Sequence, residues 1–209
     1  STLSQLGYMV MAVGLGAQLG TPASGMYHLV THAFFKAMLF LGAGSVIHAC
    51  HHEQDIWKMG GLWKKMPKTF WTFVIGTAAL AGLPPFSGFY SKDEVLVTAL
   101  EVNPVLFVIA VLVAILTTFY MVRLVVVAFL GEARSESASH AHESPAVMTW
   151  PLLILAVPSV ALAWLPLGEF IGSAFGGHGH GHGAAHAAVE KYPVGILPLI
   201  ENLSNGVNG

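Results

Sequence analysis

Residues 27–50, YHLVTHAFFKAMLFLGAGSVIHAC, decide how this sequence folds. The run is apolar apart from histidines and hydroxyl side chains, and Lys36 is the one Lys, Arg, Asp or Glu in it. A helix of about 20 mostly apolar residues is long enough to cross a bilayer. The stretch is therefore predicted to be a transmembrane helix that carries a lysine at membrane depth.

The composition of the whole chain favours a membrane protein. Of its 209 residues, 55% are hydrophobic and only 10% are charged, whereas soluble domains carry about 25% charged residues. Further windows without charge, each long enough for a span, cover residues 69–91, 102–122 and 144–168. The net charge of -2 argues against the basic patch that nucleic-acid binding requires, so no nucleic-acid partner is expected.

Five membrane segments are predicted, which makes the fold an all-α, polytopic membrane helix bundle. The third segment meets paired prolines, Pro84 and Pro85, after about 15 residues, too few to cross ~30 Å at 1.5 Å per residue. Prolines remove backbone donors and clash with the preceding turn, so this span is predicted to be discontinuous, with its second half resuming after residues 92–94. The segments are residues 3–19, 27–50, 69–100, 104–130 and 149–165.

The loops predict an orientation. Four lysines lie between the second and third spans, and short basic loops stay on the cytoplasmic side. The loop after the fourth span then lies on the same side, and it carries Arg134. A multi-pass protein of the bacterial inner (plasma) membrane is predicted. The four lysines are Lys58, Lys64, Lys65 and Lys68.

Residues 176–186 form a His/Gly tract, GGHGHGHGAAH. Imidazoles bind transition metals, which makes such a tract a possible metal ligand. Alternating glycines leave no preorganised site, so a flexible insertion is the favoured interpretation and no metal site is predicted.

Lys36 is the strongest functional signal. An ammonium at the bilayer centre costs at least ~2.5 kcal/mol on insertion scales, so such residues face protein or water and are functional by default. His28, His32 and Lys36 recur every four residues, on one helix stripe that rises ~12 Å. Because imidazole takes and gives protons near neutral pH, the stripe predicts a proton relay. The alternative is that the histidines are core residues satisfied by neighbouring backbone and that Lys36 pairs with an unseen carboxylate.

Lys92 follows the predicted break. Broken helices line ion sites in many transporters, which favours a functional lysine. Residues 92–94, Lys-Asp-Glu, are equally compatible with a charge cluster at the membrane interface. The residues alone leave both interpretations open.

Four motifs carry a family resemblance: SQLGYM at 4–9, HLVTHAFFKA at 28–37, HHEQDIWKMGGL at 51–62 and LPPFSGFYSKDE at 83–94. In this order and spacing they resemble the C-terminal half of the antiporter-like subunit L of respiratory complex I, NADH:quinone oxidoreductase. The resemblance covers about residues 1–131, and it is closer than that to the sister subunits M and N.

The resemblance implies an all-helical fold with two inverted repeats of five helices, each with a broken helix. The chain would be a fragment of a longer protein and would begin within the second repeat. It then divides into a partial antiporter-like proton-translocation domain, a cytoplasmic loop, a further transmembrane helix, and a His/Gly-rich loop with a truncated C-terminal segment. These are residues 1–131, 132–148, 149–175 and 176–209.

The resemblance also assigns roles. The family's central lysine falls on Lys36, its connecting histidines on His28 and His32, and its outward-facing lysine on Lys92, which favours the functional interpretation of Lys92. Quinone reduction elsewhere in the complex would drive protons through this relay.

Cofactors and partners follow from the same resemblance. NADH, FMN, iron–sulfur clusters and quinone are expected in partner subunits and none in this chain, which lacks a dinucleotide fingerprint and has a single cysteine, Cys50. The expected partners are the lipid bilayer and other membrane subunits, the M-type neighbour especially. One alternative is the large subunit of a multisubunit Na+(K+)/H+ antiporter. Another is a structural scaffold, which would give no reason for Lys36.

Overall fold

The computed structural model describes residues 1–175, and all regular structure in this part of the chain is helical. The His/Gly tract and the predicted C-terminal segment, residues 176–209, lie outside the described residues. Two short 3-10 turns, Ile56–Lys58 and Leu62–Lys64, interrupt the loop between the second and third helices. The helices are α1 (Thr2–Gln18), α2 (Ala23–Ala49), α3 (Pro67–Ala81), α4 (Ser87–Val102), α5 (Pro104–Phe129), α6 (Glu136–Ser139), α7 (Ala146–Ala161) and α8 (Leu167–Phe175).

Helix α2 is the centre of the bundle. It has 27 residues and packs against α1, α3, α4, α7 and α8. Within the described chain, α2 and α5 are the two helices long and apolar enough to cross a membrane alone. Helix α5 lies at the periphery and exposes a row of aliphatic and aromatic side chains, among them Val108, Leu112 and Phe119. An apolar face of this kind suits contact with lipid.

Small residues let the helices of this bundle approach closely. A Cβ atom on Gly42 of α2 would lie 2.9 Å from Cδ2 of Phe73, and one on Gly76 of α3 would lie 2.8 Å from Cγ of Leu39. At each of these glycines, the helix that lacks a side chain packs against a large side chain of the other helix. Such close packing replaces the hydrophobic effect, which vanishes between helices in lipid.

Helices α3 and α4 have 15 and 16 residues, fewer than the roughly 20 that a bilayer crossing needs. Helix α3 ends at Gly82, whose positive φ of 78° is the left-handed conformation common after a helix end. Pro84 and Pro85 lie in the connection. The prediction that the second half resumes after residues 92–94 is wrong, because α4 begins at Ser87 and already contains Lys92.

Gly88 explains why the second helix begins so early. A Cβ atom at Gly88 would lie 1.8 Å from the carbonyl oxygen of Ala79, so only glycine lets the first turn of α4 press against the last turns of α3. The Ser87 hydroxyl donates a hydrogen bond of 2.8 Å to the carbonyl of Ser159 in α7. The first turn of α4 is therefore packed closely against α3 at Gly88 and bonded to α7 at Ser87.

The remaining predicted spans agree in part with the helices. The first, second and fourth coincide with α1, α2 and α5 to within a few residues. The fifth was predicted to reach residue 165, but α7 ends at Ala161 and α8 begins at Leu167, after Pro166. Proline has no N–H to continue a helical hydrogen-bond ladder, which is consistent with a new helix beginning there.

A polar cluster links the C-terminal part of α2 to the start of α3 and to the loop after α6. The Ser45 hydroxyl lies 3.0 Å from Oγ1 of Thr69 and donates to Oγ of Ser144 at 2.7 Å. Glu143 accepts from Oγ1 of Thr69 and from the backbone N–H of Lys68, each at 2.7 Å. The Glu143 carboxylate therefore satisfies an N–H group that the first turn of α3 leaves free.

Candidate functional site

His28 lies at the junction of three helices and is completely buried, with 0% of its surface exposed. Its Nδ1 atom is 2.9 Å from Oγ of Ser91 in α4, and its Nε2 atom is 3.1 Å from Oε1 of Gln5 in α1. Thr31, one turn along α2, donates a hydrogen bond of 2.8 Å to the same Ser91 hydroxyl. The imidazole thus has a partner on each nitrogen.

These partners fix which nitrogen of His28 carries the proton in the neutral ring. The carboxamide oxygen of Gln5 only accepts, so Nε2 donates to it and Nδ1 accepts from the Ser91 hydroxyl. Ser91 in turn accepts from Thr31. If Nδ1 gains a proton, the Ser91 hydroxyl must turn its own hydrogen away from the ring. Protonation of His28 is therefore coupled to rotation of Ser91.

His32 stands one turn further along α2. Its ring centroid is 5.9 Å from that of His28 and 5.3 Å from that of Phe35, with the Phe35 ring edge-on. Nε2 of His32 is buried and has no hydrogen-bond partner among residues 1–175. Buried polar atoms are rarely left in this state, so His32 is a buried ring whose hydrogen bonding is incomplete among these residues.

Lys36 continues the stripe one turn further and, like His28, bonds to a residue at the N-terminal end of α1. It is half-buried, its Nζ atom donates a hydrogen bond of 2.8 Å to Oγ of Ser1, and it lies 5.5 Å from the centroid of the Phe40 ring. The described chain contains one salt bridge, Lys58–Glu53 at 3.1 Å, and Lys36 has no part in it. Among the described residues no carboxylate lies within 4.0 Å of the Lys36 ammonium, and the alternative of an unseen carboxylate partner stays a prediction.

Lys92 is buried at the helix break, with 4% of its surface exposed. Its Nζ atom donates a hydrogen bond to the carbonyl of Leu80, in the last turn of α3. The side chain passes over Gly82, where a Cβ atom would lie 3.3 Å from Cδ of Lys92. The carbonyls at a helix C-terminus are unpaired and carry partial negative charge, so they hold an ammonium well. The lysine thus lies inside the bundle and not at an exposed helix end.

The four residues predicted from the sequence are therefore brought together unequally. His28 and His32 are adjacent, Lys92 lies at the break, and the ammonium of Lys36 bonds to Ser1 at the start of α1. Sequence reasoning gave no role to Gln5 or Ser91, although both lie within the quoted motifs. The available sequence signal for Gln5 was a carboxamide within a span that has no charges. In the structure Gln5 is 1% exposed.

A helical bundle with a broken helix, a lysine at the break and two buried histidines beside it belongs to the class of antiporter-like membrane subunits. Residues 1–118 match the family described as "NADH:quinone oxidoreductase/Mrp antiporter, TM". The chain belongs to this family.

Two curated relatives specify the resemblance. The chain is 50% identical to NADH-quinone oxidoreductase subunit L of Mycobacterium tuberculosis, over 77% of this chain and 26% of the relative. It is 48% identical to NAD(P)H-quinone oxidoreductase chain 5 of Picosynechococcus sp., over 79% of this chain and 28% of the relative. The predicted resemblance to subunit L is confirmed. The chain spans about a quarter of the length of these relatives.

A solved structure shows the same fold. The Mrp complex from Dietzia sp. DQ12-45-1b contains a chain that superposes with a TM-score of 0.71 at 24% identity, covering 83% of this chain and 41% of the other. This likeness confirms an all-helical, antiporter-like membrane fold.

Proposed function

We propose that this chain is the C-terminal-half part of a proton-translocating subunit L of an NADH:quinone oxidoreductase. The observation that carries the proposal is the buried hydrogen-bonded connection from α2 to α4 through His28 and Ser91, beside the lysine at the helix break. The names and identities of the curated relatives support the redox complex as its setting.

The proposed path runs along α2 from Lys36 to His32 and His28, and it reaches α4 at the break, where Lys92 lies. The two imidazole centroids are 5.9 Å apart. Two unit charges at about 6 Å repel each other by about 3 kcal/mol at an effective dielectric constant of about 20. Because of this repulsion, one imidazole at a time is charged, and a proton that enters at His32 drives the previous one onward from His28.

The surroundings of the site follow from the same proposal. Quinone reduction in partner subunits, which hold NADH, FMN, the iron–sulfur clusters and the quinone, drives the movement of protons in this chain. Other membrane subunits, the M-type neighbour first among them, contact it in the bacterial inner membrane. Residues 1–131 form part of the second repeat of the translocation domain, residues 132–148 a cytoplasmic loop and residues 149–175 a further membrane segment.

A second candidate is the large subunit of a multisubunit Na+(K+)/H+ antiporter. The family description includes Mrp antiporters, and the Mrp complex from Dietzia shares the fold. The 24% identity of that chain is about half the 50% identity to the named subunit L, so the redox complex is favoured.

The test uses the full-length subunit in its assembled complex, reconstituted in vesicles. NADH oxidation is expected to acidify the lumen in the wild type, and Lys36→Ala is expected to lower the number of protons moved per electron without loss of assembly. The exposed Lys58→Ala serves as the matched control and should pump normally. Proton movement driven by a sodium gradient alone, with none driven by NADH, would establish the antiporter instead.

A further inference from the structure

The polar face of α4 continues beyond the Ser91 hydroxyl. Ser91, Glu94 and Thr98 are three and four residues apart, which places them on one side of the helix. That side faces α2, because Ser91 bonds to His28. Glu94 is the next titratable group along this face, a rise of about 4.5 Å from Ser91, in the direction that leads away from the helix break.

The Glu94 carboxylate is covered by the start of α8. A Cβ atom on Gly168 would lie 3.5 Å from Oε2 of Glu94 and 3.9 Å from Cδ1 and Cε1 of Tyr27. The carboxylate and the Tyr27 ring of α2 therefore both lie near the first turn of α8. The N-terminal end of a helix carries partial positive charge, which suits a carboxylate at this place.

No cationic side chain of the described residues holds this carboxylate. Among residues 1–175 it takes part in no salt bridge within 4.0 Å and accepts no side-chain hydrogen bond, although its backbone carbonyl accepts from Thr98. The ammonium of Lys92 is engaged with Leu80 on the other side of α4, since a separation of two residues turns about 200° around a helix. A half-buried carboxylate without a fixed partner is free to change its protonation.

We infer that Glu94 receives the proton that leaves His28, by way of the Ser91 hydroxyl, and that the start of α8, which lies beside the carboxylate at Gly168, limits where that carboxylate can move. The inference rests on the proposed function and assigns the next group on the outward path.

The transfer conserves protons at each step. Nδ1 of the His28 imidazolium gives its proton to Oγ of Ser91, which releases its own hydrogen through one water to Glu94. Glu94 becomes a neutral carboxylic acid and then loses the proton to the outer side. The Ser91 hydroxyl rotates back toward the neutral ring of His28.

The experiment compares matched pairs in the assembled complex in vesicles. Glu94→Gln is expected to reduce the protons moved per electron to the residual level of Lys36→Ala, and Glu94→Asp to restore most of them. The exposed Glu101→Gln, at the end of the same helix, should pump like the wild type. Normal pumping by Glu94→Gln together with loss in Lys36→Ala would overturn the role of Glu94 and leave the proposed function standing. Normal pumping by both would overturn both.

A second pair tests the position of the carboxylate without altering it. Gly168→Val places methyl groups against Glu94 and is expected to lower pumping, whereas Gly172→Val in the same helix meets nothing within 4 Å and should not. Equal pumping by the two valine variants would overturn the role of α8.

Infrared difference spectra detect protonation of a carboxylate, which a purely structural role of Glu94 would not produce. A carboxylic acid band that appears during turnover should vanish in Glu94→Gln and remain in Glu101→Gln. Persistence of the full band in Glu94→Gln would overturn the assignment.

Discussion

Lys92 of α4 donates its hydrogen bond to the carbonyl of Leu80 in α3, so one half of the broken helix satisfies the open end of the other. The sequence separation is 12 residues, and the connection between the two contains Pro84 and Pro85. In a membrane interior, both an unpaired carbonyl at the helix break and a buried ammonium are unfavourable. The hydrogen bond between Lys92 and Leu80 offsets both costs at once.

Two substitutions at Lys92 separate its proton from its charge. Lys92→Arg keeps a donor and a positive charge but does not release a proton, whereas Lys92→Met keeps only the aliphatic length. If Lys92 titrates during transport, both variants should lose pumping. Lys92→Met should also lower the free energy of unfolding by about 1–3 kcal/mol, because the Leu80 carbonyl loses its partner. Pumping and thermal unfolding of the purified complex measure the two effects. Normal pumping by Lys92→Arg would contradict a titrating role.

Gln5 is predicted to set the tautomer of His28. Gln5→Leu removes the acceptor from Nε2 of the buried ring, and an unsatisfied buried donor costs about 1–3 kcal/mol. The ring should then populate both neutral tautomers, which nitrogen-15 solid-state NMR of labelled histidine distinguishes, and pumping should fall. Gln18→Leu, at the exposed end of the same helix, is the control. A single unchanged tautomer in Gln5→Leu would contradict the prediction.

Gly88 is predicted to be essential for the helix break. Gly88→Ala would bring a methyl group 1.8 Å from the carbonyl of Ala79, and backbone cannot yield as a flexible side chain can. Overpacking of this kind typically costs about 1–3 kcal/mol, so assembly and thermal stability should both decrease. Gly44→Ala in α2 meets nothing within 4 Å and should leave them unchanged. Equal stability of the two alanine variants would show that α3 and α4 can separate without cost.

The orientation is testable with reporters. A cytoplasmic reporter inserted in the loop at residues 53–68 should be active inside the cell, because that loop carries the lysines that remain inside. A reporter at residue 103, between α4 and α5, should give the opposite result. The same side for both positions would contradict the predicted crossing of α3 and α4.

The sequence by itself determined the membrane class, the helices α1, α2 and α5, the break near Pro84, and the stripe of His28, His32 and Lys36. These features depend on local physics: apolar length, proline chemistry and a helical period of 3.6 residues act within a few turns of the chain. The resemblance carried by the motifs was equally a property of the sequence.

Only the tertiary structure decided which partners the buried groups have. The bonds of His28 to Gln5 and Ser91 join residues 23 and 63 positions apart, and Gly168 of α8 lies beside the carboxylate of Glu94 in α4. It also placed Lys92 inside α4, because Gly88 lets that helix begin against α3. Such pairings depend on how helices cross, and no period along a single helix encodes the angle at which another one meets it.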